Sequence, residues 1–168
     1  MLPIILDEAA VNIGLAGEGD ALERRRTMLA DAGVTPKTLS SDSDASSLKG
    51  LRLLFVAGLD KAPSERLAKL ARAQGVLVNV EDVPALCDFH VPAAVRRGDL
   101  IVTVSTNGKA PGLARLVREW LEHKLGEEWS GRLRELAASR ATWRGQGHAP
   151  SEVSQKIRDY VRERDWLG

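Results

Sequence analysis

One cysteine, Cys87, is all that the 168 residues contain. No internal disulfide can form, and a reducing cytoplasm is the expected compartment. Charge of one sign is missing as well. The 24 basic residues stand against 23 acidic ones, which leaves no bulk attraction to nucleic acid or to a membrane surface. Long hydrophobic runs are absent too. The longest, around Leu51–Leu59, is interrupted by Arg52 and Gly58 and falls far short of the ~20 apolar residues of a membrane span. The opening MLPIILDEAA has no basic n-region, so it does not read as a signal peptide. His90, His123 and His148 are isolated, with no partner at ligand spacing, so no protein-held metal is expected. Aromatics are scarce, and Trp120, Trp129, Trp143 and Trp166 all fall in the last third. That shift marks a C-terminal module packed differently from the rest. What remains, 43% hydrophobic and 28% charged, is the balance of a globular protein with one core or one core plus an appendage.

The patterning predicts an α/β fold. Pro3–Leu6 and Val11–Ala16 are short β-type runs, and Asp20–Ala32 is a helix stopped by Gly33. Thr35–Ser47 carries a proline and a Ser/Asp cluster, which predicts at best a short edge strand and then a flexible loop. Leu51–Ala57 reads as a buried strand, Pro63 opens a helix that Gly75 stops, and Val76–Val80 and Leu100–Ser105 are the next strands. Pro111 opens an amphipathic helix with Leu113, Leu116, Val117, Trp120 and Leu121 on one stripe. Two further helices are predicted over Glu127–Arg144 and Pro150–Arg164.

Three places carry chemistry. Gly17-Glu18-Gly19-Asp20-Ala21-Leu22 holds the first two glycines of G-x-G-x-x-G between strand and helix, the arrangement that brings backbone N–H groups to a pyrophosphate. Leu22 replaces the small third residue, and Glu18 and Asp20 bring negative charge, so a plain strand–helix turn is an equal reading. Glu81-Asp82 closes a strand before Pro84. A carboxylate there serves as a general base or as an ordinary turn residue. Ser105-Thr106-Asn107-Gly108-Lys109 joins a strand to a helix N-terminus, either an anion-friendly pocket or a tight Asn-Gly turn. Arg96, Arg97, Lys109, Arg115 and Arg118 cluster around it with only Asp99 against them. They form either a solvated basic face or a site for a polycarboxylate or phosphate.

The run VNVEDVPALCDFHVPAAVRRGDLIVTVSTNGKAPGLARLVREWLE, together with Leu2-Pro3-Ile4 and the glycine turn followed by Glu23-Arg24, resembles the precorrin-2 dehydrogenase/sirohydrochlorin ferrochelatase family, the N-terminal half of siroheme synthases. The resemblance covers most of the chain. It implies a Rossmann-like, mostly parallel sheet binding NAD over residues 1–91, a dimerisation segment over 92–122 and a helical part over 123–168, assembled as a homodimer. It also implies two reactions at one site: oxidation of precorrin-2 to sirohydrochlorin, and insertion of ferrous iron, a substrate, to give siroheme. By position, Asp82 matches the catalytic aspartate. Gly17, Gly19, Asp20 and Ala21 match the dinucleotide turn, with Ser41 and Asp42 as further cofactor contacts. Asn79, Ser105, Thr106, Gly108, Lys109 and Arg115 are expected on the tetrapyrrole. The stretch between Gly33 and Leu51 is shorter than the family norm on the ribose side, Gly58-Leu59-Asp60-Lys61 and Ser64 depart from its pattern, and His90 stands where an aliphatic residue is usual. Two alternatives therefore stay open: a chelatase-only homologue without NAD, and a non-catalytic tetrapyrrole carrier with His90 as axial ligand. No methyltransferase domain follows Gly168, so a stand-alone version is expected.

Overall fold

The computed structural model describes residues 1–168 and divides them into two compact units, Met1–Val91 and Pro92–Gly168. In the first, β1 (Ile13–Gly17), β2 (Lys37–Leu39), β3 (Leu53–Ala57) and β4 (Leu77–Val80) form a parallel sheet in the order β2-β1-β3-β4. Helix α1 (Gly19–Ala30) connects β1 to β2, and α2 (Lys61–Ala73) connects β3 to β4. The strands alternate between two cores, as a sheet covered on both faces requires. Ile13, Leu15, Leu53 and Phe55 face Leu29 of α1. Ala16, Leu54, Val56, Val78 and Val80 face Leu67, Ala68 and Ala71 of α2. The chain winds one way from β1 to β2 and the other way from β1 towards β4, so the order reverses between β1 and β3. Loops at the carboxyl ends of these two strands flank the place where α/β sheets bind ligands.

The crossover from β2 to β3 differs from its sequence-based expectation. Residues 40–52 contain no helix, yet they are an ordered cap rather than a flexible loop. Leu48 is fully buried and joins Leu51 in the α2-side core. Gly14 makes room for Leu51, since a Cβ there would stand 2.6 Å from Leu51 Cδ1. The polar residues tie the cap down. Asp44 accepts hydrogen bonds from the Ser46 and Ser47 hydroxyls and the Ser47 N–H, Lys37 donates to the Ser47 carbonyl at 2.7 Å, and Arg66 donates to the carbonyls of Ser41 and Ser43. Pro3–Leu6, expected as β-type, pairs with no strand, and Leu2, Ile4 and Ile5 are exposed. The outer edge of β4 is covered by a returning segment: Asp88 N–H donates to Val78 O at 2.7 Å, and the Asp88 carboxylate accepts from Val78 N and from Arg72. A bare edge strand is thereby closed to further pairing.

In the second unit, β5 (Ala93–Arg97) and β6 (Leu100–Val104) form an antiparallel hairpin. Sequence reading missed β5 and took β6 as a further strand in the series. The two-residue turn Gly98-Asp99, with Gly98 at φ 59°, is the chemistry that turns the chain back on itself. Helix α3 (Pro111–Lys124) packs on the hairpin through buried Ala114, and Arg97 caps its last turn by donating to the carbonyls of Leu125 at 2.7 Å and Glu122 at 3.1 Å. Helices α4 (Glu128–Gly145) and α5 (Pro150–Glu163) are joined by an aromatic cluster. Trp143 and Trp166 meet Tyr160 edge-on, Trp129 meets Trp166 edge-on, and the Arg132 guanidinium lies over Trp129 and Trp166, 5.0 and 5.5 Å from their ring centres. Three of the four tryptophans thus hold this pair together, while Trp120 on α3 is exposed. No helix is long and apolar enough to cross a membrane.

Candidate active site

At the end of β1 the backbone passes very close to the end of β3. Glu18 N–H donates to Ala57 O at 3.1 Å, and a Cβ on either Gly17 or Gly58 would collide with a carbonyl of the opposite strand end. The close helix–strand approach that a third motif glycine would permit is provided instead by Gly58, which faces Glu18 O and Ala21 Cβ. Leu22 is free to join the α1-side core. Sequence reading took Gly58 only as part of a departure from the family pattern and not as the close-packing glycine, although a glycine directly after an apolar strand was the available signal. Gly19 opens α1 at φ 62°, with nothing within 4 Å of the position a Cβ would take. Glu18 makes no side-chain cap, and the first-turn N–H groups of α1 have no carbonyl within the helix to bond. An open space bordered by free N–H groups fits a dinucleotide pyrophosphate. The carboxylates of Glu18 and Asp20 border the same turn.

Beyond β2 the chain makes the tight turn Ser40–Ser43, with Ser43 N–H on Ser40 O at 3.1 Å. Ser41 is fixed through its carbonyl by Arg66, and Asp42 stands exposed at the turn with no hydrogen bond. No residue of the 33–51 segment comes within 4 Å of the position a Gly19 Cβ would take. A cleft of about 390 Å³ lies at the opposite end of the strands, among Asn12, Thr35, Lys37 and Lys49 where β1 and β2 begin, and holds none of the predicted site residues.

Beyond β4, Glu81 N–H bonds to Val56 O at 2.9 Å and Val83 N–H to Val80 O at 3.3 Å. Between them Asp82 sits at φ 59°, a left-handed conformation unusual for any residue other than glycine. Its carboxylate is exposed and engages no hydrogen bond or ion pair within the chain. Glu81, by contrast, faces Arg25 at 3.7 Å and Arg24 at 4.0 Å. Asn79 is buried, and its amide nitrogen donates to Phe89 O at 2.9 Å, which braces the segment that follows Asp82. Because the strands are parallel, the glycine turn, Ser41-Asp42 and Asp82 all lie at one edge of the sheet. Two strand spacings separate the ends of β1 and β4, about 10 Å.

In the second unit, Thr106-Asn107-Gly108-Lys109 is a tight turn with Lys109 N–H on Thr106 O at 3.0 Å and with Asn107 and Gly108 at φ 54° and 76°, the left-handed pair of a type I′ turn. Ser105 Oγ accepts from Asn107 N–H, and Thr106 Oγ1 accepts from Ala110 N–H at 3.2 Å, just before α3. The basic cluster is less free than its sequence suggests. Arg97 caps α3, Arg115 pairs with Glu119 at 2.9 Å, and Arg118 pairs with Glu122. The hydrogen bond from Arg115 lowers the Glu119 pKa below its ordinary value. Glu119 and Glu122, not Asp99 alone, oppose these arginines. Arg96 and Lys109 have no acidic partner.

A doubly wound parallel sheet with a glycine turn at its switch point defines a dinucleotide-binding α/β protein. The comparisons narrow this class. Residues 4–93 match a family described as "Putative NAD(P)-binding", and residues 97–124 match one described as "Sirohaem biosynthesis protein central". The first match spans more than half of the chain, and the chain belongs to that family of putative NAD(P)-binding proteins. It is 33% identical over 157 residues to a siroheme synthase of Nitrosococcus oceani, covering 82% of this chain and 33% of that protein. It is 38% identical over 124 residues to one of Ectopseudomonas mendocina, covering 63% and 27% respectively. The chain thus spans about a third of the length of these relatives. Among solved structures, "SirC, precorrin-2 dehydrogenase" superposes with a TM-score of 0.77 at 19% identity, covering all of this chain and 93% of that one. That likeness establishes the shared fold.

Proposed function

We propose that the chain is an NAD-dependent precorrin-2 dehydrogenase of siroheme biosynthesis that also inserts ferrous iron into sirohydrochlorin. The observation that carries this reading is Asp82: an exposed carboxylate without a protein partner, held in left-handed backbone at the same sheet edge as the open glycine turn. The N–H groups at the start of α1 bind the pyrophosphate. When bound, NAD supplies the hydride acceptor. An Asp82 carboxylate oxygen takes the one proton that leaves the macrocycle along with the hydride. In iron insertion the pyrrole N–H protons depart as the metal enters, and the same carboxylate accepts them. Iron ends on the nitrogens of the product, so the protein needs no ligand set of its own.

The Ser105–Lys109 loop offers hydroxyls and an unpaired ammonium to the substrate carboxylates, and Arg96 adds a second free cation. Arg115 meets them only if it exchanges Glu119 for the ligand. Homodimerisation fits the exposed stripe Leu113, Leu116 and Trp120 on α3, spaced three and four residues apart. Purified protein given NAD and precorrin-2 should generate the sirohydrochlorin absorption spectrum, and added ferrous iron should convert it to that of siroheme. Failure of the first step, with iron still inserted into sirohydrochlorin supplied directly, would support the chelatase-only reading, which the carboxylates of Glu18 and Asp20 at the turn favour.

A further inference from the structure

We infer that Arg25 and Glu81 are a positioning pair that joins the helix carrying the glycine turn to the loop carrying Asp82. This inference rests on the dehydrogenase reading. Arg25 lies on α1, six residues and about 9 Å along the axis from Gly19. Its side chain is only 14% exposed. The guanidinium is held on two sides by its own unit: it lies 5.2 Å over the Phe55 ring of β3, and its Nη1 is 3.4 Å from Met28 Sδ. A cation so fixed presents its charge at one place, and Glu81 meets it at 3.7 Å, with Arg24 adding a second cation at 4.0 Å.

Glu81 is bonded to β3 through its N–H and to Asp82 by the chain itself. Phe55 continues the connection, because Phe89 packs edge-on against it with ring centres 5.2 Å apart, and the Phe89 carbonyl is gripped by Asn79. The loop is therefore held at Glu81 and again at Phe89, with Asp82 between the two anchors in the strained left-handed region. An isolated surface ion pair does little. Here the pair has a fixed member, and the loop it fixes holds Asp82 in left-handed backbone, a conformation uncommon for residues other than glycine. Anything that settles on the N-terminus of α1 bears on the helix that presents Arg25. Glu81 carries that constraint to Asp82.

The test reads amide hydrogen exchange by NMR with and without NAD, alongside kinetics. In the wild-type protein NAD should slow exchange at Gly19–Ala21 and also at Glu81 and Val83, whose N–H groups bracket Asp82. Glu81→Gln should keep the first effect, lose the second, and lower kcat by about tenfold while the KM for NAD moves less than about twofold. The charge-swapped variant Arg25→Glu/Glu81→Arg should regain part of both. If NAD protects Gly19–Ala21 but leaves Glu81 and Val83 unchanged in the wild type, or if E81Q keeps the wild-type kcat, the positioning role is wrong and the dehydrogenase reading stands. If NAD protects nothing in the wild type, the dehydrogenase reading fails first.

Discussion

Gly17 and Ala57 meet through backbone alone: the N–H that follows Gly17 donates to the Ala57 carbonyl, and that oxygen occupies the space a Gly17 side chain would need. Gly58 stands in the same relation to Glu18. The obstruction is main chain in both cases, so it cannot turn aside as a side chain would. Gly17→Ala and Gly58→Ala should each lower unfolding stability by about 3 kcal/mol, the upper end of overpacking effects. Gly19 is different. Its surroundings are empty, and only its φ of 62° resists a side chain. Gly19→Ala should cost about 1 kcal/mol yet weaken NAD binding clearly, because the new methyl group enters the pyrophosphate space. Urea unfolding and NAD titration of the three variants separate these outcomes.

Leu48 makes the second prediction. It is the one fully buried side chain of the Ser/Asp-rich crossover, so Leu48→Ala should destabilise the protein by about 3 kcal/mol through the cavity it leaves. A truly flexible loop would lose almost nothing. Limited proteolysis should also find 40–52 resistant in the wild type and cut there in the variant.

That crossover also illustrates what the sequence could and could not show. β1, β3 and β4 were legible because continuous apolar runs ended by Gly17, Gly58 and Glu81-Asp82 describe buried parallel strands. The later helices were legible from their periodicity and from Pro111 and Pro150. Residues 40–52 were not, because Ser and Asp carry turn chemistry whether or not the turns are folded, and the burial of a lone Leu48 has no period to betray it. β5 was hidden for a similar reason: AAVRR has one strong strand former, and its partner is chosen by the Gly98-Asp99 turn. At the candidate site, spacing pointed to Gly17 and Gly19 as one of two equal readings, and only the family resemblance singled out Asp82. The contact of Arg25 with Glu81 joins residues 56 apart and exists only once α1 lies on the sheet. The pairing inside the basic cluster was not legible because the acidic partners, Glu119 and Glu122, follow one helical turn later.

Asp44 offers a test by pH. Hydrogen bonds from the Ser46 hydroxyl, and then from the Ser47 hydroxyl and N–H, lower its pKa from 3.8 to about 2. The folded chain thus holds the ionised form more firmly than the unfolded chain does. This contribution is complete above pH 3.8 and is lost as pH falls towards 2. Carboxyl chemical shifts followed through a titration should give a midpoint near 2 for Asp44. In Ser46→Ala the midpoint should rise towards 3.8, since the leading donor is gone.

Asp82 yields the sharpest separation of function from stability. Its carboxylate bonds to nothing in the protein, while its backbone occupies a region that costs an L-residue about 1 kcal/mol and costs glycine nothing. Asp82→Asn should leave stability within about 0.5 kcal/mol of the wild type, since asparagine tolerates the same conformation. Asp82→Gly should be at least as stable as the wild type, despite losing a whole side chain, because the relief of strain offsets the added freedom of the unfolded chain. Both variants should oxidise precorrin-2 at least about a hundredfold more slowly, the usual loss when a general base is removed, and both should slow iron insertion. NAD affinity should hold in each, because the pyrophosphate cradle is two strands away. A stable Asp82→Gly protein that still turned over at the wild-type rate would assign the left-handed aspartate to the turn and not to the chemistry. A stable one without activity would mean that the protein keeps a strained residue there for its carboxylate.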